Sequence, residues 1–78
     1  MDRKNRVLEI FFRGIRGEEL SPKRLATEYG LSTKTITRNL NDIKKFIKDS
    51  HSLVGYTALI YSYNTKSYRL FMDNSVML

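Results

Sequence analysis

The chain has 78 residues, 41% of them hydrophobic, with five Tyr and four Phe. That is enough apolar material for one small packed domain and too much for a disordered tail. No apolar run approaches the ~18 residues of a membrane span, no small-residue cleavage site follows the basic start, and there is no Cys to form a disulfide or a thiolate metal site. Fourteen Lys and Arg against eight Asp and Glu leave a net charge of +6, a field that favours a polyanion such as nucleic acid or an anionic membrane surface. A cytoplasmic location is the simplest reading of this composition.

The first helical pattern runs from Arg3 to Arg13. Val7, Leu8, Phe11 and Ile15 recur at helical spacing as one apolar stripe, widened by Ile10 and Phe12. Gly14 and Gly17 are expected to end it, leaving "GIRGEEL" as a loop. Arg3, Lys4 and Arg6 before the stripe read either as an arm on a polyanion or as a solubilising terminus.

Ser21-Pro22 is a helix start, with Ser as N-cap and Pro at the first helical position. This short helix should reach Tyr29, with Leu25, Ala26 and Tyr29 facing inward. Gly30 supplies the positive φ of a sharp turn. Ser32 caps a third helix that runs to about Lys48, with Ile36, Leu40, Ile43 and Ile47 as its inner seam. Lys44, Lys45 and Lys48 lie near its C-terminal end, where the helix dipole favours cations; they read as a solvated face or as contacts along a phosphate backbone.

"DSHSLVGY" is a connector, with a short helical turn expected at 50–54. The period then changes to two. "TALIYSY" and "SYRLF" flank Asn64-Thr65-Lys66 and read as a β-hairpin. Leu59, Tyr61 and Tyr63 fall on one face of the first arm, Ala58, Ile60 and Ser62 on the other. In the second arm Tyr68 and Leu70 alternate with Arg69 and Phe71, and the last seven residues show no pattern. Among the hairpin tyrosines, cross-strand packing is the bland reading and a base-stacking platform the sharp one.

Three helices and a hairpin, with a glycine turn between the second and third helices, are the layout of a winged helix-turn-helix, an α+β fold with the hairpin as wing. Counting from Pro22, Ala26 is fifth, where the following helix crosses closely and a small residue is needed. Gly30 is ninth, at the turn, and Ile36 is fifteenth, the apolar peg between the two helices. The stretch "LATEYGLSTKTITRNL" resembles the helix-turn-helix of DeoR-type bacterial transcriptional regulators. The shared residues are Leu25-Ala26, Gly30-Leu31-Ser32, Thr35-Ile36 and Arg38-Asn39-Leu40; related domains occur in regulators with WYL-type sensor regions and in biotin-repressor-like proteins. The likeness extends over about residues 5–71 and takes in the closing "ALIYSYNTKSYRL" as a wing. Asn39 departs from the Asp frequent in those regulators, which removes a negative charge expected near the groove face.

The resemblance implies a sequence-specific double-stranded DNA-binding domain of a bacterial or mobile-element transcription regulator, acting on the nucleoid. It implies one domain over 1–78, either the N-terminal piece of a longer protein or a stand-alone one, and a homodimer on repeated half-sites. In such a domain the start of the third helix enters the major groove, where hydroxyls and cations meet phosphates and base edges. The residues in that position are Ser32, Thr33, Lys34, Thr35, Thr37, Arg38 and Asn41, with Lys45 further along. Ser21 and Lys23 stand at the start of the second helix, with Pro22-Lys23-Arg24 placed to grip a phosphate, and Asn64 and Lys66 at the wing tip. Two other readings remain open: a winged domain for protein–protein contact, and an RNA or single-stranded DNA binder using an exposed aromatic hairpin. No membrane, metal or cofactor is implied: His51 stands alone, and Glu18-Glu19 diverge rather than converge on a substrate. Nothing in the pattern suggests an enzyme, since no nucleophile accompanies a His and an acid and no glycine-rich phosphate loop is present.

Overall fold

The computed structural model describes residues 2–49 and 56–73. The expected turn at 50–54, His51 and residues 74–78 lie outside the described residues. In chain order the elements are α1 (Arg3–Ile15), α2 (Pro22–Tyr29), α3 (Thr33–Asp49), β1 (Tyr56–Ser62) and β2 (Ser67–Asp73). This is the α+β, three-helix-plus-hairpin layout of a winged helix. No helix among the described residues is long and apolar enough to cross a membrane.

Each helix begins where a side chain can take up its orphan N–H groups. Asp2 caps α1 by accepting from the Asn5 amide at 2.8 Å, and Ser21 caps α2 by accepting from Arg24 at 3.2 Å. Ser32 Oγ accepts from the Thr35 amide at 3.1 Å at the start of α3. Between α2 and α3 the chain turns through Gly30 at φ 68°, and the Leu31 amide donates back to Ala26 O at 2.9 Å. A Cβ resists that backbone, so the glycine is what allows so short a corner.

The phase of α1 differs from the expected stripe. Ile10 is fully buried, Val7 and Phe11 are half-buried, and Gly14 is buried inside the helix, so the inward line is 7-10-11-14. Leu8 and Ile15 face outward with Phe12. Gly14 therefore does not stop the helix. A Cβ built there would stand 3.2 Å from both Leu20 Cδ1 and Leu70 Cβ, so glycine is the residue that lets loop and strand close on α1. The helix ends one residue later, at Ile15, and Gly17 follows with φ 89°.

The core lies where α1, α2 and α3 meet the hairpin. Ile10, Leu20, Leu25, Ile36 and Leu40 have almost no exposed surface, and Ala26, Ile43, Ile47, Leu59 and Leu70 close around them. Burying each large aliphatic side chain contributes about 1.5–3 kcal/mol.

β1 and β2 pair antiparallel, with Leu59 opposite Leu70 and Tyr61 opposite Tyr68. The alternation holds: Leu59 and Leu70 are buried, whereas Ile60, Ser62, Arg69 and Phe71 are exposed. β2 runs on through Met72, which packs on the core, so the strand extends into the stretch that shows no pattern in the sequence. Tyr63 belongs to the turn, not the strand; the turn spans 63–66 and leaves through Lys66 in the left-handed region at φ 54°. A backbone pair not expected from the sequence joins Leu20 to Tyr68, each amide donating to the other's carbonyl at 2.8 Å. The loop before α2 thereby becomes a one-residue third strand along the wing. A two-stranded hairpin alone is marginal in water; this bridge and the inner leucines fasten it to the helices.

Candidate nucleic-acid interface

Four faces of α3 follow from helical spacing. Ile36, Leu40, Ile43 and Ile47 are buried in the core. Asn39, Asp42 and Phe46 meet α1: Asn39 accepts from Arg6 Nε at 2.8 Å, Asp42 pairs with Arg3 at 2.8 Å, and the Phe46 ring meets Phe11 edge-on at 5.9 Å. Thr33, Thr37 and Lys44 face the hairpin. Lys34, Arg38, Asn41 and Lys45, spaced four, three and four apart, form an exposed outer strip that carries no acid.

Two expectations change here. Asn39 is 1% exposed and packs toward α1, so it is not a groove-face residue; its amide oxygen serves the Arg6 guanidinium. Arg3 and Arg6 are not a free arm: Asp2 caps the helix early enough to include them, and both turn back onto α3. Lys4, in the same helix, is exposed.

Between the start of α2, the start of α3 and the inner face of the hairpin lies an open concavity of about 320 Å³. Pro22 and Lys23 form one wall, Thr33 and Thr37 the floor, and Tyr61, Tyr68 and Lys66 the other wall. The structure thus brings Lys23, Thr33, Thr37 and Lys66 together. Asn64 is exposed at the turn beside Lys66 but does not line the concavity. Ser21, Ser32 and Thr35 are occupied at helix starts, Ser32 Oγ lying 2.9 Å from Thr35 Oγ1 as well as capping its amide. Arg24 turns away from the helix start, its Nη2 donating to Glu19 O at 2.7 Å, and leaves Lys23 as the cation of that corner.

The ion pairs divide the molecule. Arg13 Nη1 donates to Glu28 at 2.7 Å, and its Nε donates to Glu18 at 3.0 Å; beside it Tyr29 donates its hydroxyl to Glu9. These bonds, from Glu28 first and Glu18 next, hold the Arg13 guanidinium charged well above its ordinary range. They hold the Glu18 and Glu28 carboxyls below the ordinary 4.5. Burial, then the bond to Glu9, raises the Tyr29 hydroxyl above its ordinary 10.0 and keeps it a donor. By contrast, Lys23, Lys34, Arg38, Lys45 and Lys66 make no hydrogen bond or ion pair with a described residue through their side chains.

The sequence leaves Tyr61, Tyr68 and Lys44 open between a packing or solvated role and a nucleic-acid contact, and the structure brings all three to the groove. Tyr61 and Tyr68 line it, and Lys44 Nζ lies 5.8 Å from the Tyr68 ring centre, a cation over an aromatic wall. Period-two alternation puts the tyrosines on one face; only the docking of the hairpin shows that this face turns toward α3. A larger concavity of about 860 Å³ lies on the far side of α1, among Asn5, Leu8, Phe12 and Arg16, and shares no residue with the groove. Among the described residues no group of three or more His, Asp or Glu side chains could hold a metal ion. Comparison with protein-family models, curated proteins and solved structures found no match.

Proposed function

We propose that this chain is a double-stranded DNA-binding domain of a bacterial or mobile-element transcription regulator. The N-terminal half of α3 enters the major groove, and the hairpin lies on the backbone and minor groove beside it. The observation that carries this reading is a set of cations with no side-chain partner among the described residues. Lys34, Arg38 and Lys45 stand on one exposed strip, and Lys23 and Lys66 stand across the adjoining concavity. A surface kept for solubility alone would mix both signs; this one presents cations and amide or hydroxyl groups to a polyanion. Arg38 is the base reader in this arrangement, since a guanidinium with no partner among the described residues can meet guanine in two-point geometry. Lys23, Lys34, Lys45 and Lys66 neutralise phosphates. The DeoR-type likeness, a cytoplasmic, nucleoid-associated location and action as a homodimer belong to the same proposal.

Fluorescence anisotropy with duplex DNA across a salt series tests it. Four phosphate contacts give a log–log salt slope of about −4. Absence of duplex binding at ~50 mM salt, where phosphate contacts are strongest, would overturn the reading.

A second reading, contact with another protein, has one observation behind it. Leu8, Phe12 and Ile15 form an exposed apolar stripe on α1, with Phe12 exposed over 60% of its surface. The stripe shares no residue with the groove, so a protein partner there and DNA on α3 are compatible.

A further inference from the structure

Tyr63 is the most exposed of the large hydrophobic side chains described, at 85%. It buries too little surface to contribute much to folding, and a turn of this kind needs no aromatic. Yet the ring is held. It meets Tyr61 at 5.0 Å between centres, nearly perpendicular, and Tyr61 meets Tyr68 at 4.9 Å. Lys44 then covers Tyr68 from α3. A row of three rings therefore runs from the helix along the groove wall to the wing tip, and ends in a free aromatic face. Lys66, in the same turn, adds a cation at the wing tip.

In an uninterrupted duplex the faces of the bases are covered by their neighbours. An aromatic ring reaches such a face only where a base step is opened, unpaired or wedged apart. We propose that Tyr63 stacks on an opened or unpaired base beside the α3 footprint, so that the favoured ligand is duplex DNA carrying one opened step. This inference rests on the duplex-DNA reading above. Lys66 and Lys23 hold the backbone on either side of the concavity, and Tyr61 and Tyr68 keep the ring upright.

The test uses three probes of one sequence: an uninterrupted duplex, a set of duplexes with a single unpaired 2-aminopurine moved along the footprint, and the single strand. Wild type, Tyr63→Ala and Tyr63→Phe are titrated by anisotropy and by 2-aminopurine fluorescence. At one position of the unpaired base, wild type should bind about tenfold more tightly than to uninterrupted duplex, the order of one stacking contact. Tyr63→Phe should keep that preference and the fluorescence change, and Tyr63→Ala should lose both while its affinity for uninterrupted duplex stays the same. Equal wild-type affinity for interrupted and uninterrupted duplex at every position would overturn the stacking role and leave the duplex reading standing. An equal loss on both probes in Tyr63→Ala would do the same. Binding to single strand alone, or to no probe, would overturn both.

Discussion

On the α1 side of the molecule, Arg3, Arg6 and Arg13 each end on a partner: Asp42, Asn39, and Glu18 with Glu28. On the groove side, Lys23, Lys34, Arg38, Lys45 and Lys66 end on none among the described residues. The two regions use the same charge in opposite ways. Arginines on α1 are joints: their planar, multi-donor heads fix helix to helix and helix to loop. Lys34, Arg38 and Lys45 on α3, with Lys23 on α2 and Lys66 at the wing tip, are left exposed with no partner among the described residues, which keeps them available to an incoming anion. A net charge of +6 says nothing about this division. What distinguishes the regions is where the acids went, and Glu18, Glu28 and Asp42 are all committed to α1.

Replacing Ile36 by Ala should have the largest effect, because Ile36 is fully buried and holds α2 and α3 at the corner that both regions share. A loss of about 2–5 kcal/mol in chemical denaturation is expected, a large part of the stability of a domain this small. A loss below about 1 kcal/mol would mean that the corner is held elsewhere. Arg38→Ala comes next and should leave the fold intact. Affinity for a selected site should fall by about 1–3 kcal/mol, with non-specific binding little changed; unchanged specific affinity would remove Arg38 as reader.

Arg13→Met bears on the opposite region. The carboxyls of Glu18 and Glu28 titrate lower in the folded chain than in the unfolded one, so the stability they contribute is present above the ordinary 4.5 and is lost as pH falls below it. The melting temperature of the wild type should therefore drop on acidification through this range. The variant should start lower and respond less. Parallel melting curves in the two proteins would exclude the Arg13 cluster as the source. The smallest effect is expected for Lys45→Ala: a uniform weakening on every duplex, with the salt slope shallower by about one. Weakening confined to one sequence would make Lys45 a base reader instead.

The α2–turn–α3 segment is legible residue by residue because its determinants are local. A capping hydroxyl, a proline, a glycine at the turn and an apolar seam lie within a few positions of what they act on. α1 is less legible. Gly14 looks like a stop, and only the approach of Leu20 and Leu70 shows that its missing side chain is the point of contact. The apolar spacing also places Leu8 and Ile15 inward, and both are exposed. Asn39 and Arg6 find each other across two helices, and neither residue type announces a partner at that distance. In the candidate site, hydroxyls and cations on α3 follow from periodicity. Which hydroxyls are already used as caps, and which way the tyrosines turn, depend on packing.

The Leu20–Tyr68 bridge has a kinetic consequence. It joins segments separated by two helices and a strand, whereas the helical corner closes through near neighbours. Contacts of long sequence separation form late because loop closure precedes their reward. On this ground the hairpin is expected to dock after the α2–α3 corner has formed, which would leave one wall of the groove absent until β2 has reached Leu20. A nascent chain would carry the α3 strip before it carried the groove, and the Leu20 amide would record the final step by its protection from hydrogen exchange.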